Sequence, residues 1–261
     1  MYQAVEVRTN PPRVFPRIAD HHKRPGQNLQ VVGMPPHRQH PALDIPIELA
    51  PFFQGARRDK NHLGGFRRQL PAWLRGTGFG EHPHDNMEII SIVLEGGLKH
   101  EDSMHNVAII EPGEIQVMSA GTGIYHQEYN KEENVPAKFL QIWLFPNQRN
   151  VTPRYQQERY DATLVPNQFS QILSPDQSDA GVWIYQDAWF HLGKFDAGLK
   201  TDYTLKRKGN GVYVFVIKGS IQVNGQDLTE RDGLGIWEVD KLNINALTDA
   251  EVLLMEVPMN Y

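Results

Sequence analysis

The 261-residue sequence predicts an all-β protein: two tandem β-barrels preceded by an atypical N-terminal arm. Three observations carry this. From about Gly76 onward, short runs rich in β-branched and aromatic residues alternate with Gly, Pro, Asn and Asp, and no long helical period interrupts them. A weak internal repeat sets the later half against the earlier one. Residues 1–75 stand apart, holding 10 of the 18 prolines and neither a sustained alternation nor a helical stripe.

The arm, 1–75, reads as mostly irregular, with a short segment near Ile45 to Phe53 packing on the body. The β-runs that follow are 88–94, 115–118, 139–145, 182–185, 190–194, 212–217, 220–223, 235–238, 242–246 and 252–257. In the repeat, Leu94-Glu95-Gly96-Gly97-Leu98-Lys99 aligns with Ile217-Lys218-Gly219-Ser220-Ile221-Gln222. The turn 111–114 aligns with 230–233, and 139–144 with 252–257. The expected organisation is therefore an arm (1–75), a first barrel (76–150), a joining stretch rich in Asn, Gln, Pro and Arg (151–180) and a second barrel (181–261).

Composition removes whole classes of chemistry. There are no cysteines, so disulfides, thiolate metal sites and cysteine nucleophiles are excluded, and any metal must be held by nitrogen and oxygen. The apolar runs are too short to span a bilayer as helices, and no charged segment leads into an apolar stretch at the N-terminus, so a cytoplasmic protein without a membrane partner is expected. Net charge is −5, but it is unevenly spread: residues 1–75 carry 12 Lys and Arg against 5 Asp and Glu, and the rest 14 against 26. An acidic body argues against nucleic acid as a partner. Phosphate-cradling glycine loops and serine nucleophile elbows are absent.

The chemistry concentrates in two short motifs. In His82-Pro83-His84 the imidazoles are two residues apart, so on a strand both leave the same face. The same spacing recurs in His126-Gln127-Glu128, after the turn Gly121-Thr122-Gly123. Two such pairs on facing strands supply three imidazole nitrogens and one carboxylate, a donor set suited to one divalent ion with open positions. Glu88 is a further candidate ligand, read instead as a supporting or salt-bridged group. His100 and His105 flank an acidic loop and are expected to be solvated; His191 is alone in its half.

Residues 76–130 resemble the cupin superfamily. Gly76, His82, His84 and Glu88 fit its first motif, and Gly123, His126 and Asn130 the end of its second. Within it, the stretch 79–90, with 93–96, 100–103, 116–123, 141–143 and 152–155, is similar to the pirins, and the likeness runs from about residue 77 to the C-terminus. It implies two jelly-roll-like cupin barrels, with one metal, usually iron, in the first and none in the second. Carried over by position, the ligands fall on His82, His84, His126 and Glu128. The arm departs from the family: its usual opening strands are missing from residues 1–75, through divergence or a shifted reading frame, which leaves a barrel edge exposed unless the arm covers it.

The resemblance implies two kinds of function. One is a metal-dependent dioxygenase of the quercetinase type, an oxidoreductase acting on an aromatic flavonol with Fe(II) or another divalent transition metal, with Glu128 as catalytic base. The other is a metal- or redox-dependent regulator that docks on a protein partner without turnover.

Overall fold

A computed structural model describes residues 30–32, 48–51, 78–132 and 135–259. Strand is their dominant regular structure, and no α-helix occurs among the described residues. From the arm come β1 (Gln30–Val32) and β2 (Glu48–Pro51). Eight strands follow: β3 (Gly78–His84), β4 (Glu88–Glu95), β5 (Leu98–Asp102), β6 (Val107–Ile110), β7 (Glu114–Ser119), β8 (Ile124–Asn130), β9 (Lys138–Leu144) and β10 (Arg154–Arg159). A 3-10 turn at Asp161–Thr163 precedes β11 (Phe169–Ser174), β12 (Val182–Trp183), β13 (Trp189–Phe195), β14 (Lys200–Thr204) and β15 (Asn210–Lys218). The chain closes with β16 (Ser220–Val223), β17 (Gln226–Thr229), β18 (Gly233–Trp237), β19 (Lys241–Ala246) and β20 (Ala250–Pro258).

These strands fall into two units, divided between Arg159 and Tyr160 from β2 onward, with β1 belonging to the second. In the first, a sheet ordered β10-β7-β4-β9-β2 faces a sheet ordered β3-β8-β5-β6; in the second, β1-β18-β15-β20-β13-β11-β12 accompanies β14-β19-β16-β17. The repeat is structural. β7-β4-β9 matches β18-β15-β20, and β3-β8-β5-β6 matches β14-β19-β16-β17, strand for strand. The aligned Gly96 and Gly219 both take left-handed φ values, +73° and +81°, where an added Cβ would strike the carbonyl oxygen of Pro136 or Asp249.

The stretch 151–180, expected to join the barrels, instead carries β10 on the first sheet and β11 in the second. Its polar sequence is misleading for a physical reason. β10 lies at a sheet edge, and edge strands carry charged and amide side chains that read as linker. The segment 45–53 expected to pack on the body contains β2, which pairs antiparallel with β9 from Glu48 opposite Trp143 to Pro51 opposite Leu140. That edge of the first sheet is therefore covered by backbone from within residues 1–75. The remaining expectations about the arm concern residues outside those described.

The interiors differ in kind. Among the described residues, the second unit has a continuous cluster of sixteen buried residues, from Phe195 to Leu254. In the first, two smaller clusters stand apart, Ile89, Met118, Ala120 and Ile124 in one, Val93, Leu98, Ile110 and Phe139 in the other.

Candidate metal centre in the first barrel

β3 and β8 run antiparallel with His82 directly opposite His126. A register shift between Phe79 and His82 bulges β3, and this puts His82, with His84 two residues on, on the sheet face that carries His126 and Glu128. The ring centroids lie 4.3 Å apart for His82–His126, 4.8 Å for His82–His84 and 4.9 Å for His84–His126, and one ring nitrogen from each falls within 4.8 Å of the others. His82 and His84 are half-buried and His126 is buried, so the cluster has an open side and a closed side.

Glu128, two residues along the same face of β8, is buried and joins a second group that shares His126: His100, His126 and Glu128 also place their donor atoms within 4.8 Å of one another. Its Oε2 accepts a hydrogen bond from Gln141 Nε2 at 2.7 Å, and its Oε1 has no partner. The four residues singled out from sequence are thus brought to one end of one barrel, as two overlapping groups rather than a single ring.

His100 was misjudged as solvated: it is 0% exposed. It stands opposite Glu128 in the β5–β8 register, its ring 5.4 Å from that of His126 and 5.0 Å from that of Tyr155. Its Nε2 lies 3.1 Å from Asp102 Oδ2. Asp102 also accepts from the backbone of Met104 and Asn106 and from the Asn106 amide, so the acidic loop is built around this carboxylate. The available signal was alternation: Leu98 and His100 share a face of β5, and Leu98 is core. His105, by contrast, is exposed as expected. Glu88 is buried, accepts from Ser119 Oγ at 2.7 Å, and belongs to neither group of donors.

Burial and mutual repulsion keep His84 and His126 neutral. Burial, then repulsion from His82, lowers His84 to about 4. Burial and the neighbouring imidazoles lower His126 to about 2. Burial raises Glu128 to about 7, opposed by the Gln141 hydrogen bond. His82 Nδ1 donates to the Gly80 carbonyl oxygen at 2.8 Å, so Nε2 is the ring nitrogen it can offer to a cation. His84 Nε2, both nitrogens of His126 and Glu128 Oε1 are orphaned within the protein. Unpaired lone pairs converging in a buried place are costly alone and fit a cation.

Fold and donor set together define a bicupin with one histidine-rich barrel. A family model described as Pirin matches residues 48–144, and one described as Quercetinase C-terminal cupin domain matches 171–257. The chain is 41% identical over 186 residues to the quercetin 2,3-dioxygenase of Escherichia coli K12, covering 70% of this chain and 78% of that one. It is 40% identical over 183 residues to a putative quercetin 2,3-dioxygenase of Pseudomonas aeruginosa, with the same two coverages, 70% and 78%. The crystal structure of the E. coli pirin YhhW in complex with nickel(II) is 37% identical with a TM-score of 0.66, covering 70% of this chain and 78% of that one. The chain belongs to the pirin family.

In the second barrel the matching positions of β16 and β19 are apolar, and Tyr203 stands where His82 does. By strand register, Leu242 and Ile244 stand where His126 and Glu128 do, and Val223 where His100 does; all three are buried. His191 is instead buried beside Tyr203, its Nδ1 3.4 Å from the hydroxyl.

Proposed function

We propose that the protein is a metal-dependent oxygenase of the quercetin 2,3-dioxygenase type, holding one divalent ion through His82, His84, His126 and Glu128. The observation that carries the reading is the convergence of neutral, unpartnered imidazole nitrogens and a buried carboxyl oxygen at the half-open end of the first barrel. A bound ion would supply Lewis acidity and, if it is iron, redox capacity. Iron(II) is the reading the resemblance favours; the nickel(II) in a relative fits the same nitrogen-rich donors.

The chain's own residues supply the rest. His82 and His84, on the half-exposed side, face an arriving planar aromatic such as a flavonol, and Trp143, whose ring is 5.1 Å from that of His84, offers a flat apolar wall. Glu128 is the base: its proton affinity near neutral suits it to take a hydroxyl proton from substrate, with Gln141 holding the other oxygen. The test is dioxygen uptake by protein reconstituted anaerobically with Fe(II). Uptake that requires quercetin and is lost in Glu128→Ala supports the reading.

A second reading, a regulator docking on a protein partner, draws on a separate observation. The edge strand β6 presents Val107 at 68% and Ile109 at 43% exposure. Stoichiometric metal without uptake would favour it.

A further inference from the structure

The first barrel is polar inside at positions where the second is apolar. Directly paired residues of a sheet project from the same face. The pairs Gln157–Gln116, Gln116–Ser91 and Ser91–Gln141 therefore form one row across β10, β7, β4 and β9. Gln141 donates to Glu128, so the row faces the interior. It runs between the barrel's two apolar clusters and accounts for their separation. Ser91 and Gln116 are 0% and 1% exposed, and Ser91 Oγ and both amide atoms of Gln116 lack a hydrogen-bond partner in the protein.

The fold does not demand this row. By the same register, Ser91, Gln116 and Gln141 correspond to Val214, Leu234 and Leu254, paired as Val214–Leu234 and Val214–Leu254 and buried in the continuous core. Polar groups buried without partners are retained at a cost, so their presence only in the barrel with the histidines points to an occupant.

We propose that Ser91 and Gln116 form a hydroxyl-binding subsite inside the first barrel, on the Glu128 side of the histidine cluster. The proposal rests on the oxygenase reading only for the identity of the occupant. An amide and a serine hydroxyl each donate and accept. His100, whose Nε2 faces the Asp102 carboxylate, leaves Nδ1 unpaired beside them. A hydroxyl group complements this set; an unsubstituted ring does not. The hydroxyl belongs either to a bound ligand or to ordered water.

The experiment compares wild type with Gln116→Met, a near-isosteric apolar replacement, both loaded with Ni(II). Each is titrated by calorimetry with quercetin and with 3-hydroxyflavone, which share a keto–hydroxyl edge and differ in their other hydroxyls. The expected result is about tenfold weaker quercetin binding with 3-hydroxyflavone essentially unchanged, and a thermal midpoint no lower than wild type in ligand-free protein. If water is the source, both affinities hold, and crystal structures show an oxygen on Gln116 and Ser91 in wild type that is lost in the variant. Unchanged affinities with no such oxygen overturn the subsite. Ser91→Ala repeats the comparison should Gln116→Met fail to fold. Wild type that takes up no Ni(II) refutes the metal site instead, and the crystallographic comparison then decides the subsite alone.

Discussion

Burial acts in opposite directions on the imidazoles and the carboxyl of the first barrel, and both effects favour cation binding near neutral pH. His84 and His126, lowered to about 4 and about 2, carry no proton to displace. Glu128, raised to about 7, does. Metal affinity should therefore rise as pH increases from 6 to 8, and the rise should vanish in Glu128→Gln, as read by competition against a chelating dye. The same shift fixes a stability effect in metal-free protein. Between its unfolded value of 4.5 and about 7 the folded state holds the proton that the unfolded chain releases, so stability falls as pH climbs through that window. The loss is complete above pH 7 and amounts to about 3 kcal/mol. Glu128→Gln should stabilise metal-free protein at pH 8 and leave it nearly unchanged at pH 4. Equal effects at both values would contradict the shifted carboxyl. At this scale the sequence was informative where spacing repeats, in His82, His84, His126 and Glu128. It was opaque at His100, because neighbouring acids suggested solvent and only the β5–β8 pairing shows which face the ring takes.

Among the elements, β3 is the one on which the site depends most directly. A Cβ on Gly78 would lie 1.8 Å from the Glu128 carbonyl oxygen, so the close approach of β3 to β8 needs glycine there. Gly78→Ala should cost about 1–3 kcal/mol in denaturant titration and weaken metal binding, because the strand that carries His82 and His84 must shift. Unaltered metal affinity would mean that β3 can move without disturbing its histidines. Elements were legible where apolar residues cluster, as in β4, β9, β15 and β20. They were not where a strand is short, polar or at an edge, as with β6, β10, β14 and β17: β10, β14 and β17 turn amides and charges to solvent, and β6 is only four residues long with Val107 and Ile109 exposed.

For the whole molecule, one topology is used twice with different fillings. The second barrel is closed by Leu242, Ile244, Val214, Leu234 and Leu254; the first keeps His126, Glu128, Ser91, Gln116 and Gln141 at the corresponding places. That contrast was only half visible in the sequence. The absence of His-x-His after residue 180 could be read directly, whereas the polar row crosses four strands and exists only once the register is set. Metal at a hundredfold excess over its dissociation constant stabilises the state that binds it by about 2.7 kcal/mol. Hydrogen exchange should then slow in β3, β5 and β8 on adding Ni(II), with β14, β16 and β19 unchanged. Slowing of the second set alone would place the ion elsewhere.

The central claim, one ion held by the His82, His84, His126 and Glu128 cluster, is tested most directly by metal stoichiometry. Wild type, His82→Ala and His191→Ala would be reconstituted anaerobically with Fe(II), desalted and measured by elemental analysis. The account predicts about one iron per chain in wild type and His191→Ala and loss of tightly held iron in His82→Ala. Equal iron in the two variants would contradict it.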